Sequence, residues 1–289
     1  MSVAVIIPLH NGAAFVRPCL RALLAQRGAA FEVYAVDNGS SDDGAAIVAA
    51  EFPQVHLLST PEPLGFAGAV NRGIRAAATA APEAFVLLNQ DTEVHPGWLA
   101  ALLAPLSDPA VGVVGCKALF PDGTIQHAGA DILWPLGYGR NLGYGQPGAG
   151  QHDAPAEPEY VAFVGVALRP AMLDQIGLLD EGFNPAYFED ADLCLRARAA
   201  GWRVLYTPQA TLTHHEGAAA AAGDYRHAAL IERNRLRLLL KHASAAALLG
   251  EFRAAEQRQL ADRVESGGAG VLRRAYLDAL LMLAELAPA

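Results

Sequence analysis

Three carboxylates fall within four positions in Tyr187-Phe188-Glu189-Asp190-Ala191-Asp192-Leu193, behind two aromatics and ahead of an apolar helical pattern. Carboxylates this close repel one another, and aromatic neighbours desolvate them, so their pKa values should rise. A carboxylate tuned upward is the usual form of a general base, and carboxylate clusters also hold metals. The same residues suit a helix start, where Glu189, Asp190 and Asp192 would answer the positive end of the helix dipole. Spacing alone leaves both readings standing.

Other patterns carry ligand chemistry. Asn89-Gln90-Asp91-Thr92-Glu93 follows a strand-like run, with an Asn two residues before Asp91. These oxygens suit a hard divalent cation, which takes one or two protein carboxylates and completes its shell with phosphates and water. A helix cap before Pro96 accounts for Thr92 or Glu93 better than for Asp91. Ala210-Thr211-Leu212-Thr213 leads into His214-His215-Glu216-Gly217. Adjacent strand residues face opposite ways, so one His of the pair joins any one site, and neutral imidazole suits Mn²⁺-like ions. Val36-Asp37-Asn38-Gly39-Ser40-Ser41-Asp42 closes another strand. Asp37 at its carboxyl end can accept from a nucleobase N–H or a ribose hydroxyl, and Ser41 or Asp42 can cap the next helix.

The elements that must position these residues alternate. Apolar β-branched runs at Val3–Ile7, Phe31–Val36, Val55–Leu58, Ala84–Leu88 and Val111–Gly115 read as buried strands. Helical patterns near Ala13–Gln26, Asp42–Glu51, Gly68–Ala80 and Pro96–Leu106 lie between them. Repeated βα units predict an α/β fold with a mostly parallel central sheet, flanking helices and ligands at the carboxyl ends of the strands. Further strands are expected at Val161–Leu168, Arg203–Tyr206 and Ala210–Thr213. From Trp134 to Pro158 the chain turns rich in Gly, Pro and Tyr, a length that predicts a functional flap, with Tyr138 and Tyr144 shaping a pocket. Asp122-Gly123-Thr124 reads as a hairpin turn, with His127 structural. The tail from Asp224 reads as a helical extension with a break at Ser266-Gly267-Gly268.

Of 289 residues, 53% are hydrophobic and 18% charged, enough for a sizeable core. A net charge of −9 argues against a nucleic-acid partner, because no basic stripe displaces counterions. Cys19, Cys116 and Cys194 form no disulfide or zinc spacing and read as buried thiols. The N-terminal apolar run reads as a first strand rather than a signal peptide, and no apolar run is long enough for a bilayer. A cytoplasmic enzyme is expected; a peripheral contact with the inner face of the membrane and a homodimer through the C-terminal helices are left open. Pro8-Leu9-His10-Asn11-Gly12 after the first strand is not the Gly-rich fingerprint of a dinucleotide site, and it suits triphosphate poorly.

Taken in order, Val5-Ile6-Ile7-Pro8, Val36–Asp42, Leu64-Gly65-Phe66-Ala67-Gly68-Ala69-Val70-Asn71-Arg72-Gly73, Leu87–Thr92, Phe188–Leu193 and His214–Gly217 resemble family 2 glycosyltransferases, most closely the rhamnosyltransferase-like branch. The resemblance covers roughly Val3 to Lys241. It implies a GT-A fold, an inverting transfer from a nucleotide-sugar donor, and Mg²⁺ or Mn²⁺. Residue by residue, it implies that Pro8 and Asp37 line the base pocket and that Gly65 and Asn71 shape the loop near nucleoside and sugar. Asp91 takes the second acid of the family's D-x-D, with Asn89 in the first position, which leaves the metal shell lean. Asp190 takes the catalytic base, Glu189 tunes it or meets the acceptor, and His214 binds the metal, with His215 as its alternative. The expected division is a catalytic domain over 1–222, with a nucleotide half to about 116 and an acceptor half beyond, then the helical extension over 223–289. A saccharide or lipid-linked glycan would be the acceptor. A sugar nucleotidyltransferase and a non-catalytic nucleotide-sugar-binding relative are the alternatives.

Overall fold

The computed structural model describes residues 2–148, 150–215, 225–265 and 269–286. The chain forms two compact units, Met1–Asp131 with Asn141–Ala218, and Ile132–Arg140 with Ala219–Ala289. The division expected at 222/223 lies outside the described residues, as do Glu216, Gly217 and the Ser266–Gly268 break. Residues 132–140, expected within the catalytic domain, belong to the second unit.

The first unit is built on one sheet. Its strands are β1 (Ser2–Leu9), β2 (Ala30–Asn38), β3 (His56–Thr60), β4 (Ala84–Leu88), β5 (Thr92–Val94), β6 (Val111–Leu119), β7 (Ile125–His127), then β10 (Gly165–Leu168) and β11 (Arg203–His214). Between β7 and β10 the chain makes a two-stranded ribbon of β8 (Ala130–Leu133) and β9 (Tyr138–Asn141). The main order is β3-β2-β1-β4-β10-β6-β11-β5, with β7 paired to β6. β1, β2, β3 and β4 run parallel, as do β6 and β11, while β10, β5 and β7 are antiparallel to their neighbours. The strand expected over Val161–Leu168 is regular only from Gly165. Those expected at Arg203–Tyr206 and Ala210–Thr213 are one strand, bulged between Thr207 and Thr211. Thr92–Val94, read as a cap region, is an edge strand instead.

Helices α1 (Val16–Leu24), α2 (Gly44–Glu51), α3 (Gly65–Ala77), α4 (Trp98–Leu103), α5 (Pro170–Ile176) and α6 (Glu189–Ala199) accompany the sheet. In α1 the buried residues Val16, Cys19, Leu20 and Leu23 recur at helical spacing, and they join β1, β2 and β4 side chains in the main core. All three cysteines are free and buried.

The second unit contains α7 (Tyr225–His242), a one-turn α8 (Ala245–Ala247), α9 (Arg253–Glu265) and α10 (Ala269–Leu286). Leu236 and Leu239 of α7 pack with Ala275, Ala279 and Met282 of α10. Beside them the fully buried Arg235 pairs with Glu232 at 2.8 Å and Glu256 at 2.6 Å, and lies 4.6 Å from the Tyr138 ring centroid. Tyr138 donates to Glu232, so this tyrosine of the expected flap is committed to the helical unit. Leu277, Leu280 and Leu281 of α10 are exposed. Among the described residues no helix is long and apolar enough to cross a membrane.

Candidate active site

The carboxyl ends of β1, β2 and β4 lie side by side at one edge of the sheet, and that of β2 is held to the start of α3. Pro8 pairs in register with Val36, and Leu9 with Asp37. Asp37 Oδ1 accepts from the Ser40 N–H at 3.1 Å, which fixes the carboxylate at the strand end. The buried Asn38 bridges β2 to α3: its Oδ1 accepts from the Leu64 N–H at 2.6 Å, and its Nδ2 donates to the Gly65 carbonyl at 3.3 Å. Gly65 has φ +74°, and a Cβ there would lie 2.3 Å from Asn184 Oδ1. Phe66 N–H donates to the Pro185 carbonyl at 2.7 Å, so α3 begins directly against the loop that leads into the acidic segment.

Asn71 works from within the helix. Its amide donates to the Leu179 carbonyl and to Glu181 Oε1, both at 2.9 Å, and accepts from the Leu179 N–H at 3.1 Å. Its amide thus holds the 179–181 loop on the path to Glu189. Asp42 caps the approach to two helices, accepting from Gly44 N–H at 2.9 Å and from Ala13 N–H at 2.8 Å. Gln90 and His10 exchange hydrogen bonds at 2.8 and 3.0 Å, which locks the β1–α1 loop to the turn that carries Asp91.

Asp91 meets His214 where β4 and β11 end. Asp91 Oδ1 lies 3.1 Å from His214 Nε2, and the Asp91 carbonyl accepts from the His215 N–H at 2.9 Å. Gln126 Oε1 is 2.7 Å from His214 Nδ1. A carbonyl oxygen only accepts, so Nδ1 donates to Gln126 and Nε2 is the ring nitrogen that faces Asp91. His215 turns away to Glu93, 2.7 Å from its Nε2. The Asn89 N–H donates to Val164 and its carbonyl accepts from Thr92, whereas its side-chain oxygen is buried with no hydrogen-bond partner. The donor set fits a hard divalent ion that draws most of its shell from a substrate. Among the described residues no three His, Cys, Asp or Glu side chains gather as a metal cluster.

The acidic segment enters under backbone strain. Tyr187 and Phe188 hold φ +80° and +74°, a left-handed pair of bulky residues immediately before α6. Glu189 is 6% exposed, and its Oε2 is buried without a partner. Burial, then the Asp190 charge, raises its pKa well above the ordinary carboxylate value. Asp190 is half-buried, and burial pushes its pKa up to about 6, opposed by backbone N–H groups including that of Phe163. Phe163 precedes Val164, whose carbonyl receives the Asn89 N–H, so Asp190 and the Asp91 turn share one edge of the sheet. Asp192 is fully buried and paired with Arg196 at 2.9 Å. Arg196 also donates to the Ile176 and Leu178 carbonyls, which makes Asp192 an anchor of the helix.

His127 is buried between Asn141 and the Ala162 N–H, and burial lowers its pKa to about 4, as a neutral structural ring requires. Sequence patterns did not reveal Asn38, Gln90 or Gln126 as supports. Gln126 lay in a hairpin motif, and only the pairing of β7 with β6 and of β6 with β11 brings it to His214.

The sequence pattern described as Glycosyl transferase family 2 matches residues 4–151. The chain belongs to that family. It is 33% identical over 230 residues to the O-antigen biosynthesis protein RfbC of Myxococcus xanthus, covering 76% of this chain and 18% of that one. It is 29% identical over 242 residues to an N-acetylglucosaminyl-diphospho-decaprenol L-rhamnosyltransferase of Mycobacterium tuberculosis, covering 73% and 76% of the two chains. The matches to the first curated relatives span only about a quarter or less of their length, 25% and 18%. Among solved structures, a mannosyltransferase from Pyrobaculum calidifontis in complex with GDP-Man and Mn²⁺ superposes with TM-score 0.60 at 18% identity, over 99% of this chain and 76% of that one. S. aureus TarS in complex with UDP-GlcNAc gives 0.57 at 18% identity, over 87% and 71%. The family 2 chain has the GT-A fold expected of it.

Proposed function

We propose that this family 2 chain is an inverting glycosyltransferase. It would move a sugar from a UDP- or dTDP-linked donor to a hydroxyl of a saccharide or lipid-linked glycan. The observation that carries this reading is Asp190, a carboxylate raised to about 6 at the same sheet edge as the Asp91–His214 pair. A base in that range is ionised at neutral pH yet more basic than an ordinary aspartate. The rhamnosyltransferase and O-antigen relatives favour a deoxyhexosyl donor and a cell-envelope glycan.

Asp91 and His214 would hold the divalent ion, with Mn²⁺ the first to test, and Asn89 would lend its buried oxygen nearby. When bound, such an ion neutralises charge on the departing diphosphate. Pro8 and Asp37 would take the nucleobase, with the Asp37 carboxylate accepting its N–H, and the Asn38-held turn at Gly65 would flank the nucleoside. Asp190 removes the proton from the acceptor hydroxyl as that oxygen attacks the anomeric carbon opposite the leaving group, which inverts its configuration. Burial and the Asp190 charge both raise Glu189, which favours placing the negative charge on Asp190.

Incubation with UDP- and dTDP-sugars and Mn²⁺ separates the readings. Release of nucleoside diphosphate is expected. Formation of nucleoside triphosphate and sugar 1-phosphate once pyrophosphate is added would identify a nucleotidyltransferase, and binding without turnover a non-catalytic relative.

A further inference from the structure

Beyond His214 the sheet presents an aromatic ledge that the proposed chemistry does not use. β6 and β11 run parallel with Leu119 opposite Thr213, so the next residues, Phe120 and His214, occupy neighbouring positions at the strand ends. Phe120 is half-buried, and Tyr144, 59% exposed, packs against it edge to face, with centroids 5.5 Å apart and planes at 89°.

Tyr144 is held out deliberately by its backbone. It stands between Gly143 and Gly145, both at φ +74°, a conformation that costs glycine little and other residues more. The turn is sewn to β7, with Ile125 N–H donating to Gln146 and Gly145 N–H to Ile125, both at 2.8 Å. Ile125 precedes Gln126, the partner of His214. The following segment is fixed from beneath by Lys117, 3% exposed, which donates to the Gly148 and Gln151 carbonyls and pairs with Asp153. An exposed aromatic on so constrained a loop offers contact area at low entropic cost.

We infer that Phe120 and Tyr144 form the platform on which the apolar face of an acceptor pyranose ring rests. The inference rests on the transferase reading. The sheet order selects the acceptor over the donor, because Pro8 and Asp37 lie at β1 and β2, whereas Phe120 extends β6 on the other side of β4. A pyranose carries C–H groups on one face and hydroxyls on its rim, so it can stack on a ring while a rim hydroxyl is turned toward a base. Tyr144 thereby selects for a sugar ring over an open-chain polyol.

The test uses the full chain with UDP and Mn²⁺, titrated with methyl glycosides of N-acetylglucosamine, glucose, mannose and rhamnose, and with glycerol as control. Tyrosine ring resonances are followed by NMR and assigned with Tyr144→Phe. At least one glycoside is expected to shift the Tyr144 ring saturably while glycerol does not. Tyr144→Ala should weaken binding of that glycoside about tenfold, the scale of one aromatic contact, and Tyr144→Trp should restore it. UDP affinity should stay unchanged in both variants. If no glycoside moves the ring, if glycerol moves it equally, or if Tyr144→Ala binds as wild type, the platform is wrong. Donor cleavage, measured separately, reports on the transferase reading alone.

Discussion

At the level of single residues, burial raises the pKa values of both Asp190 and Glu189. Burial raises Asp190 to about 6, so kcat/KM should fall on its acid side below about pH 6, two units above an ordinary aspartate, as a pH–rate profile would show. The stability consequence has the opposite sense. Between 3.8 and about 6 the folded chain keeps a proton that the unfolded chain has released. The stability linked to this group is therefore full below 3.8 and is lost as pH rises through 6. Asp190→Asn should accordingly melt a few degrees higher than wild type at pH 7 and lose that advantage near pH 3, as pH-dependent thermal melts would record. The metal pair has its own signature: Asp91→Ala and His214→Ala should each abolish the part of the UDP-induced thermal shift that depends on Mn²⁺. An undiminished Mn²⁺ increment in either variant would remove that residue from the site.

At the level of elements, the residues at strand ends were legible because βα alternation fixes where a parallel sheet presents its ligands. Asp37, Asp91 and Asp190 were singled out by that rule and by their spacing. Asn71 shows where pattern fails: its amide reaches 108 residues along the chain to Leu179, a partner that no local signal encodes. Tyr138 failed for the same reason, since its glycine-rich surroundings resemble a loop over a ligand while its hydroxyl meets Glu232, 94 residues away. Gly65 links the end of β2 to the segment that leads into α6. Gly65→Ala would combine a left-handed backbone with a Cβ pressed on Asn184, and should cost about 1–3 kcal/mol in denaturant unfolding. It should also lower turnover, because Asn184 and Pro185 lead directly to Tyr187 and Phe188.

At the level of the whole molecule, composition already implied a chain able to bury a large core, and the sheet of the first unit bears that out. The helical unit was legible as helices but not in its interior. Arg235 with Glu232 and Glu256 is a buried ion network that sequence would place on a solvated face. Removing the cation while both carboxylates stay buried costs about 3–5 kcal/mol. Arg235→Ala should therefore speed hydrogen exchange throughout α7, α9 and α10; unchanged protection there would show that the network contributes little. In the proposed transferase, the strand ends at Pro8 and Asp37, the Asp91–His214 pair and the Asp190 carboxylate would act together along one sheet edge. The most direct measurement is the turnover of Asp190→Asn with a nucleotide-sugar and Mn²⁺, made beside its affinity for the donor. A general base at this position requires transfer to fall by about 10²–10⁴-fold while donor affinity is kept. Near-normal turnover with intact donor binding would contradict it.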